Sequence, residues 1–164
     1  MSDLKSTYLS GGCFWGLQEL IRDLPGVAQT KVGYCGGSND SPTYQYHPGH
    51  AETVEVVYNL EVLSFMSLLD YFFRIHDPTT LNQQGNDIGT SYRSAIFYKT
   101  EAEKDQAQKV IDLVNTSGLY SNKVATSLEP FKAFYLAEDY HQDYLRKNPG
   151  GYTCHYLRSD QSLI

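Results

Sequence analysis

Cys13 directly follows Gly11-Gly12 and begins a stretch in which Phe14, Leu17, Ile21 and Leu24 recur at helical spacing. A thiol at the start of a helix faces unpaired backbone N–H groups and the positive end of the helix dipole. Both favour thiolate, so the position predicts a pKa below the free value of about 8.5 and a nucleophile rather than an inert buried thiol. Glu52 opens a second stretch in which it shares a period-two face with Val54, Val56 and Tyr58, while Thr53 and Glu55 point the other way. Burial of an inward carboxyl raises its pKa and keeps a proton available near neutrality, which suits a general acid. A glutamate satisfied at a sheet rim by solvent or a backbone donor fits the same parity, and the residues alone leave both open.

Other residues add weaker signals. Phe14 and Trp15 are neighbours on the helix, about 100° apart, so both cannot fill one core centre, and one of them is expected to line the space that Cys13 faces. Asp87, in Gly85-Asn86-Asp87-Ile88-Gly89, reads first as an Asx turn between glycines. Tyr44 and Tyr92 sit in or beside long loops, where each either presents a hydroxyl at a pocket mouth or covers the core. Cys154 lies in Gly150-Gly151-Tyr152-Thr153-Cys154-His155, after the helix-breaking Asn148-Pro149; a thiol on a mobile tail can reach another thiol, or is incidental. No metal is expected, since the three cysteines are far apart and no Cys-x-x-Cys or His-x-x-x-His pair occurs. A Cys-His hydrolase would have to draw its base from five scattered histidines.

The elements that must position these groups alternate. Lys5–Ser10, Val27–Tyr34, Glu52–Tyr58, Tyr92–Lys99 and, more weakly, Val124–Leu128 read as strands. Phe14–Asp23, Ser64–Ile75, a helix opened by the capping box Thr100-Glu101-Ala102-Glu103 and running to about Ser117, and Ala137–Lys147 read as helices. Cys35–His50 and His76–Ser91 are long loops, unusual in so short a domain and suggestive of function. From Lys5 to Lys99 the order is β-α-β-β-α-β, which predicts an α/β (α+β sandwich) fold with a ferredoxin-like core, long wrapping loops and a flexible C-terminal tail.

The 164 residues fit one domain, 1–164. A net charge of −6 argues against nucleic acid, because no basic excess exists to displace counterions. No apolar run or N-terminal h-region predicts a membrane span or secretory signal. Three cysteines are too few and too odd to staple the chain, so a cytoplasmic protein with chemical rather than architectural thiols is expected. Fourteen Tyr against seven Phe and one Trp suit a pocket with a polar lining.

Taken together, Gly12-Cys13-Phe14-Trp15-Gly16, Gly49-His50-Ala51-Glu52, His76-Asp77-Pro78-Thr79, Gln84-Gly85-Asn86-Asp87-Ile88-Gly89-Thr90-Ser91-Tyr92-Arg93-Ser94, Tyr140-His141-Gln142-Asp143-Tyr144-Leu145 and Tyr152–His155 resemble the ordered signatures of the peptide methionine sulfoxide reductase A family. The resemblance implies reduction of the S epimer of methionine sulfoxide, free or in proteins, by a monomer that needs no cofactor. It implies Cys13 as nucleophile, Glu52 as the acid that protonates the sulfoxide oxygen, and Tyr44 and Tyr92 as hydroxyl donors to that oxygen. Phe14 and Trp15 would hold the substrate methyl, Asp87 would position substrate, and Cys154 would resolve the sulfenic acid to a disulfide that thioredoxin reopens. Two features depart from the pattern: the loop between Tyr44 and Glu52 is shorter than in many members, and Cys35 stands where the family often has another small residue. Cys35 is read as a small residue in a tight turn rather than as a further redox centre.

Overall fold

The computed structural model describes residues 3–158 and 162–164. Its frame is a mixed sheet, six-stranded among the described residues, of β1 (Leu4–Gly11), β2 (Val27–Cys35), β3 (Ala51–Asn59), β6 (Ser94–Tyr98), β7 (Ser127–Pro130) and β8 (Phe134–Leu136). The spatial order is β7-β6-β1-β3-β2-β8. The pairings β1–β3, β1–β6, β2–β3 and β2–β8 are antiparallel, and β6–β7 is parallel. Helices α1 (Phe14–Ile21), α2 (Phe65–Ile75) and α3 (Glu101–Ser117) pack with Leu9, Val32, Tyr34, Val54, Val56, Tyr58 and Ile96 to form the main core. The opposite parity, Tyr8, Cys35, Ala51, Ala95 and Phe97, forms a smaller cluster covered by Phe131 and Phe134. No described helix is long and apolar enough to cross a membrane.

The helix starts are those the side chains dictate. Ser64 Oγ accepts from Ser67 N at 3.0 Å, and Thr100 Oγ1 accepts from Glu103 N at 3.1 Å. Each such cap is worth about 1 kcal/mol. The return contact from Glu103 goes to Lys99 N rather than to Thr100 N.

Three expectations need correction. The Ala137–Lys147 helix does not exist as one piece: a single 3-10 turn (Asp139–His141) is followed by α4 (Tyr144–Lys147). Gln142 breaks it by turning its amide to the edge of β2, accepting from Val32 N at 2.9 Å and donating to Val32 O at 2.8 Å. Asp143 then takes a left-handed backbone, φ 56°, with its N–H donated to Gln18 Oε1. The His76–Ser91 loop contains a small hairpin, β4 (Gln83–Gln84) with β5 (Asp87–Ile88). The C-terminal tail, expected to be free, has no regular structure between residues 151 and 158 yet is held down by buried His155 and by Arg158, which donates to His76 O at 3.1 Å.

Candidate active site

β1 delivers the chain to Gly11, and Gly12 turns it at φ 94°, a conformation that L side chains rarely adopt. A Cβ at Gly12 would also lie 2.5 Å from Gln84 Cγ, so the turn and its neighbour both require glycine. Cys13 is the residue before α1, and its side chain makes no capping hydrogen bond. The helix N-terminus is capped from across the sheet: Phe14 N donates to Glu52 Oε1 at 3.0 Å. Glu52 can reach there because its parity on β3 puts it on the helix face, opposite Tyr34 in the β2–β3 register.

Glu52 is 1 % exposed. Burial, reinforced by Asp87, raises its pKa from 4.5 to about 8 against the lowering pull of the Phe14 N–H. A carboxyl in this place holds its proton at neutral pH, one of the two readings that the inward parity left open. Cys13 reverses expectation. Burial, then the neighbouring charges of Glu52, Asp87 and Cys154, hold its thiol above the ordinary range, and the one favourable N–H, from Trp15, does not compensate. The helix terminus is real, but Glu52 already occupies it, and a site closed to water favours the neutral thiol.

The phenols converge on the same place. Tyr44 and Tyr92 lie close to each other, and both are raised by burial and by the charge of Glu52. The Tyr44 loop is fixed by Glu138, whose Oε2 accepts from Tyr44 N at 3.0 Å while Oε1 accepts from Tyr34 OH at 2.9 Å. His47 clasps this loop to the next, with Nδ1 2.8 Å from Thr43 O and Nε2 2.7 Å from Ser91 Oγ. Arg93 makes a two-pronged contact with Glu129, 3.0 Å at each prong, and also donates to Gly49 O, anchoring the segment just after Tyr92.

Phe14 is fully buried, its ring centroid 5.8 Å from that of Tyr34 and 6.5 Å from that of Tyr44. Trp15 is half-buried and stacks on Tyr144 at 3.8 Å, and its Nε1 donates to His141 Nδ1 at 3.0 Å. The indole is thus oriented by the broken C-terminal segment, a contact that local spacing does not reveal. Asp87 Oδ2 accepts from Tyr152 OH at 3.1 Å, which ties β5 to the tail. Cys154 is half-buried against Gly85, its Sγ 3.9 Å from Gln84 O. Gln84 is itself locked by paired bonds to the Asp77 backbone, each 2.8 Å.

Cys13, Glu52, Tyr44, Tyr92 and Asp87 therefore lie within electrostatic reach of one another, and Cys154 within reach of Cys13 and Asp87. Cys35 stands apart, 1 % exposed in the smaller cluster on the other face. All three cysteines are free thiols. A cavity of about 300 Å³ lined by Gly37, His50, Glu129 and Tyr135 holds none of these residues. Glu138, His141, Gln84 and His155 support the site; the last three lie within the signature motifs, which gave them no role, and Glu138 carried no sequence signal, because their partners lie far along the chain.

A thiol beside a neutral carboxyl and two phenols can carry redox chemistry at sulfur. The family model for peptide methionine sulfoxide reductase matches residues 5–163, and the chain belongs to that family. It is 56 % identical over 163 residues to the peptide methionine sulfoxide reductase MsrA of Nocardia farcinica, covering 99 % of this chain and 96 % of that one. Among solved structures it is similar to reduced Mxr1 from Saccharomyces cerevisiae, with TM-score 0.87, 41 % identity, and 94 % and 92 % of the two chains covered. It is also similar to Mxr1 in complex with Trx2, with TM-score 0.66, 31 % identity and coverage of 94 % and 90 %. The protein is accordingly an oxidoreductase that reduces methionine sulfoxide.

Proposed function

We propose that the chain, built on a ferredoxin-like core, reduces the S epimer of methionine sulfoxide by attack of Cys13 on the sulfoxide sulfur, with Glu52 as the acid. The observation that carries this reading is the neutral, buried Glu52 carboxyl beside the Cys13 helix start. Its Oε1 accepts from Phe14 N, which leaves Oε2 to carry the proton. A sulfoxide oxygen is a poor leaving group, and sulfur is attacked only as negative charge moves to oxygen. A protonated carboxyl and two phenols aimed at that oxygen stabilise the charge where it develops. The raised thiol fits this order of events: as the sulfoxide oxygen takes the Glu52 proton, the Glu52 carboxylate takes the proton leaving Cys13, so Glu52 ends protonated and no thiolate stands unprotected in the resting site.

The Trp15 face and the Phe14 corner supply the apolar wall for the methyl group, and Asp87 exchanges its Tyr152 contact for one to substrate. Methionine leaves, and Cys13 becomes a sulfenic acid. Cys154 condenses with it to a disulfide and water, and a thioredoxin-type dithiol reopens that bond by exchange. The complex of the yeast relative with Trx2 supports the choice of reductant.

The test is turnover of racemic methionine sulfoxide with thioredoxin. Consumption that stops at half the racemate, with a Cys13–Cys154 disulfide trapped by mass spectrometry, is expected. Consumption of both epimers, or a dominant Cys13–Cys35 linkage, contradicts the assignment.

A further inference from the structure

His155 is 7 % exposed and takes no part in the chemistry described so far. Its seat is cut into the start of α1: a Cβ at Gly16 would fall 2.4 Å from His155 Nδ1, and one at Gly12 would fall 3.3 Å from Nε2. Nε2 lies 2.6 Å from Gly11 O. A carbonyl only accepts, so the imidazole proton is on Nε2. Burial holds the ring below its ordinary pKa and therefore neutral. Nδ1 is then left with a lone pair, and it lies 3.9 Å from Cys154 Sγ. The other groups facing that thiol are Gln84 O, also at 3.9 Å, a carbonyl that can accept a hydrogen bond but cannot carry a proton away, and the Tyr152 hydroxyl, which donates to Asp87 Oδ2 at 3.1 Å and, with its pKa raised, stays a neutral phenol rather than a base.

We infer that His155 is the general base of the resolving half-reaction, its Nδ1 taking the proton of Cys154 as Cys154 Sγ attacks the sulfur of oxidised Cys13. The inference rests on the sulfenic-acid reading above. The Cys154 S–H bond breaks, the S–S bond forms and the Cys13 S–O bond breaks. The Cys13 sulfur is reduced and the Cys154 sulfur oxidised. The sulfenic hydroxyl and the thiol's proton leave as one water, which returns His155 to its neutral form.

The geometry explains why the base is tethered as it is. Gly11 lies two residues before Cys13, so the bond from Nε2 fixes the imidazole to the strand end that carries the attacked sulfur. On the other side His155 is adjacent to Cys154, and its own N–H is held by Thr153 Oγ1 at 3.1 Å. The titratable groups around the ring are Cys154 on the tail, Asp87 on β5 and His76 at the end of α2. His76 is itself neutral, its pKa lowered by burial to about 3. The thiol is thus the proton donor that faces Nδ1.

The test uses the full chain in single turnover. His155→Gln keeps an N–H for Gly11 O but cannot take up a proton. It should release one methionine per enzyme at the parental rate, then form the Cys13–Cys154 disulfide on the order of 100-fold more slowly at pH 7, in the range that positioned bases contribute. The deficit should shrink as pH rises and the Cys154 thiol ionises by itself. A parental rate of disulfide formation, or a deficit equal at every pH, overturns the assignment; the second result would make His155 an anchor only. Nitrogen NMR of the reduced parent gives a check that needs no variant. Protonation at Nε2 alone is expected, and a proton on Nδ1 at pH 7 rules the base out. Absence of any methionine burst in the parent would instead remove the sulfenic-acid reading beneath it.

Discussion

Cys13 and Cys35 are both buried next to the β2–β3 pair, on opposite faces of the same sheet. Tyr34 pairs with Glu52 and Cys35 with Ala51, so one step along the register exchanges the faces. Burial raises both thiols, Cys35 to about 12. The difference is in what surrounds them. Cys13 has a neutral carboxyl, two phenols and a second thiol within electrostatic reach. Cys35 sits with Tyr8, Ala51, Ala95 and Phe97, and the nearby Thr53 side chain only partly offsets the rise that burial causes. Neither burial nor pKa separates the two thiols; the neighbouring proton donors do, and on the proposed mechanism it is they that would make Cys13 the nucleophile.

The contrast can be broken most severely at Cys13. Cys13→Ser should release no methionine at all, read by single-turnover assay. Cys154→Ser should still release about one methionine per enzyme and then stall with thioredoxin, because the first step needs only Cys13. Trp15→Ala removes the ring that stacks on Tyr144 and bonds His141. It should lower kcat/KM by about tenfold, the loss of about 1.4 kcal/mol of apolar contact with the methyl. Alkylation of Cys13 by iodoacetamide should stay at the parental rate; if reactivity falls with activity, Trp15 supports the helix start instead. Cys35→Ser should turn over like the parent, with at most a modest loss of thermal stability, since it exchanges one small side chain for another in a packed cluster.

Much of the central fold was readable because its causes are local. The period-two parity of β3 places Glu52 inward, and Ser64 and Thr100 cap the helices that follow them. The C-terminal third was misread because its causes are distant. Gln142 reads as an ordinary helical residue until β2 presents an unpaired edge for its amide, and β8 exists only where β2 needs a neighbour. The site shows the same division. Cys13, Glu52, Tyr44, Tyr92 and Cys154 could be picked out by type and motif, and the chain brings them together. The pKa of Cys13 could not, because the burial that raises it comes from the tail and loops folding over the helix start. Glu138 is invisible locally for the same reason, and the Tyr152–His155 motif gives His155 no role on its own: their partners are Tyr34, Tyr44 and Gly11.

Glu52 also leaves a mark on stability. In the folded chain it keeps its proton to about pH 8, whereas an unfolded glutamate loses it near 4.5. The folded state therefore binds the extra proton between those values. Its contribution is complete below the lower one and declines as pH rises through the window, at up to about 1.4 kcal/mol per pH unit. Denaturant unfolding of Glu52→Gln should lose that slope.

The central claim, that a neutral Glu52 donates the proton that lets Cys13 attack, is tested most directly by the pH profile of single-turnover methionine release in the parent and in Glu52→Gln. The parent rate should hold through neutrality and fall as pH passes about 8, where the carboxyl empties. The variant should bind substrate but react on the order of 100-fold more slowly at pH 7, with that fall absent. A variant that matches the parent at every pH would contradict the account.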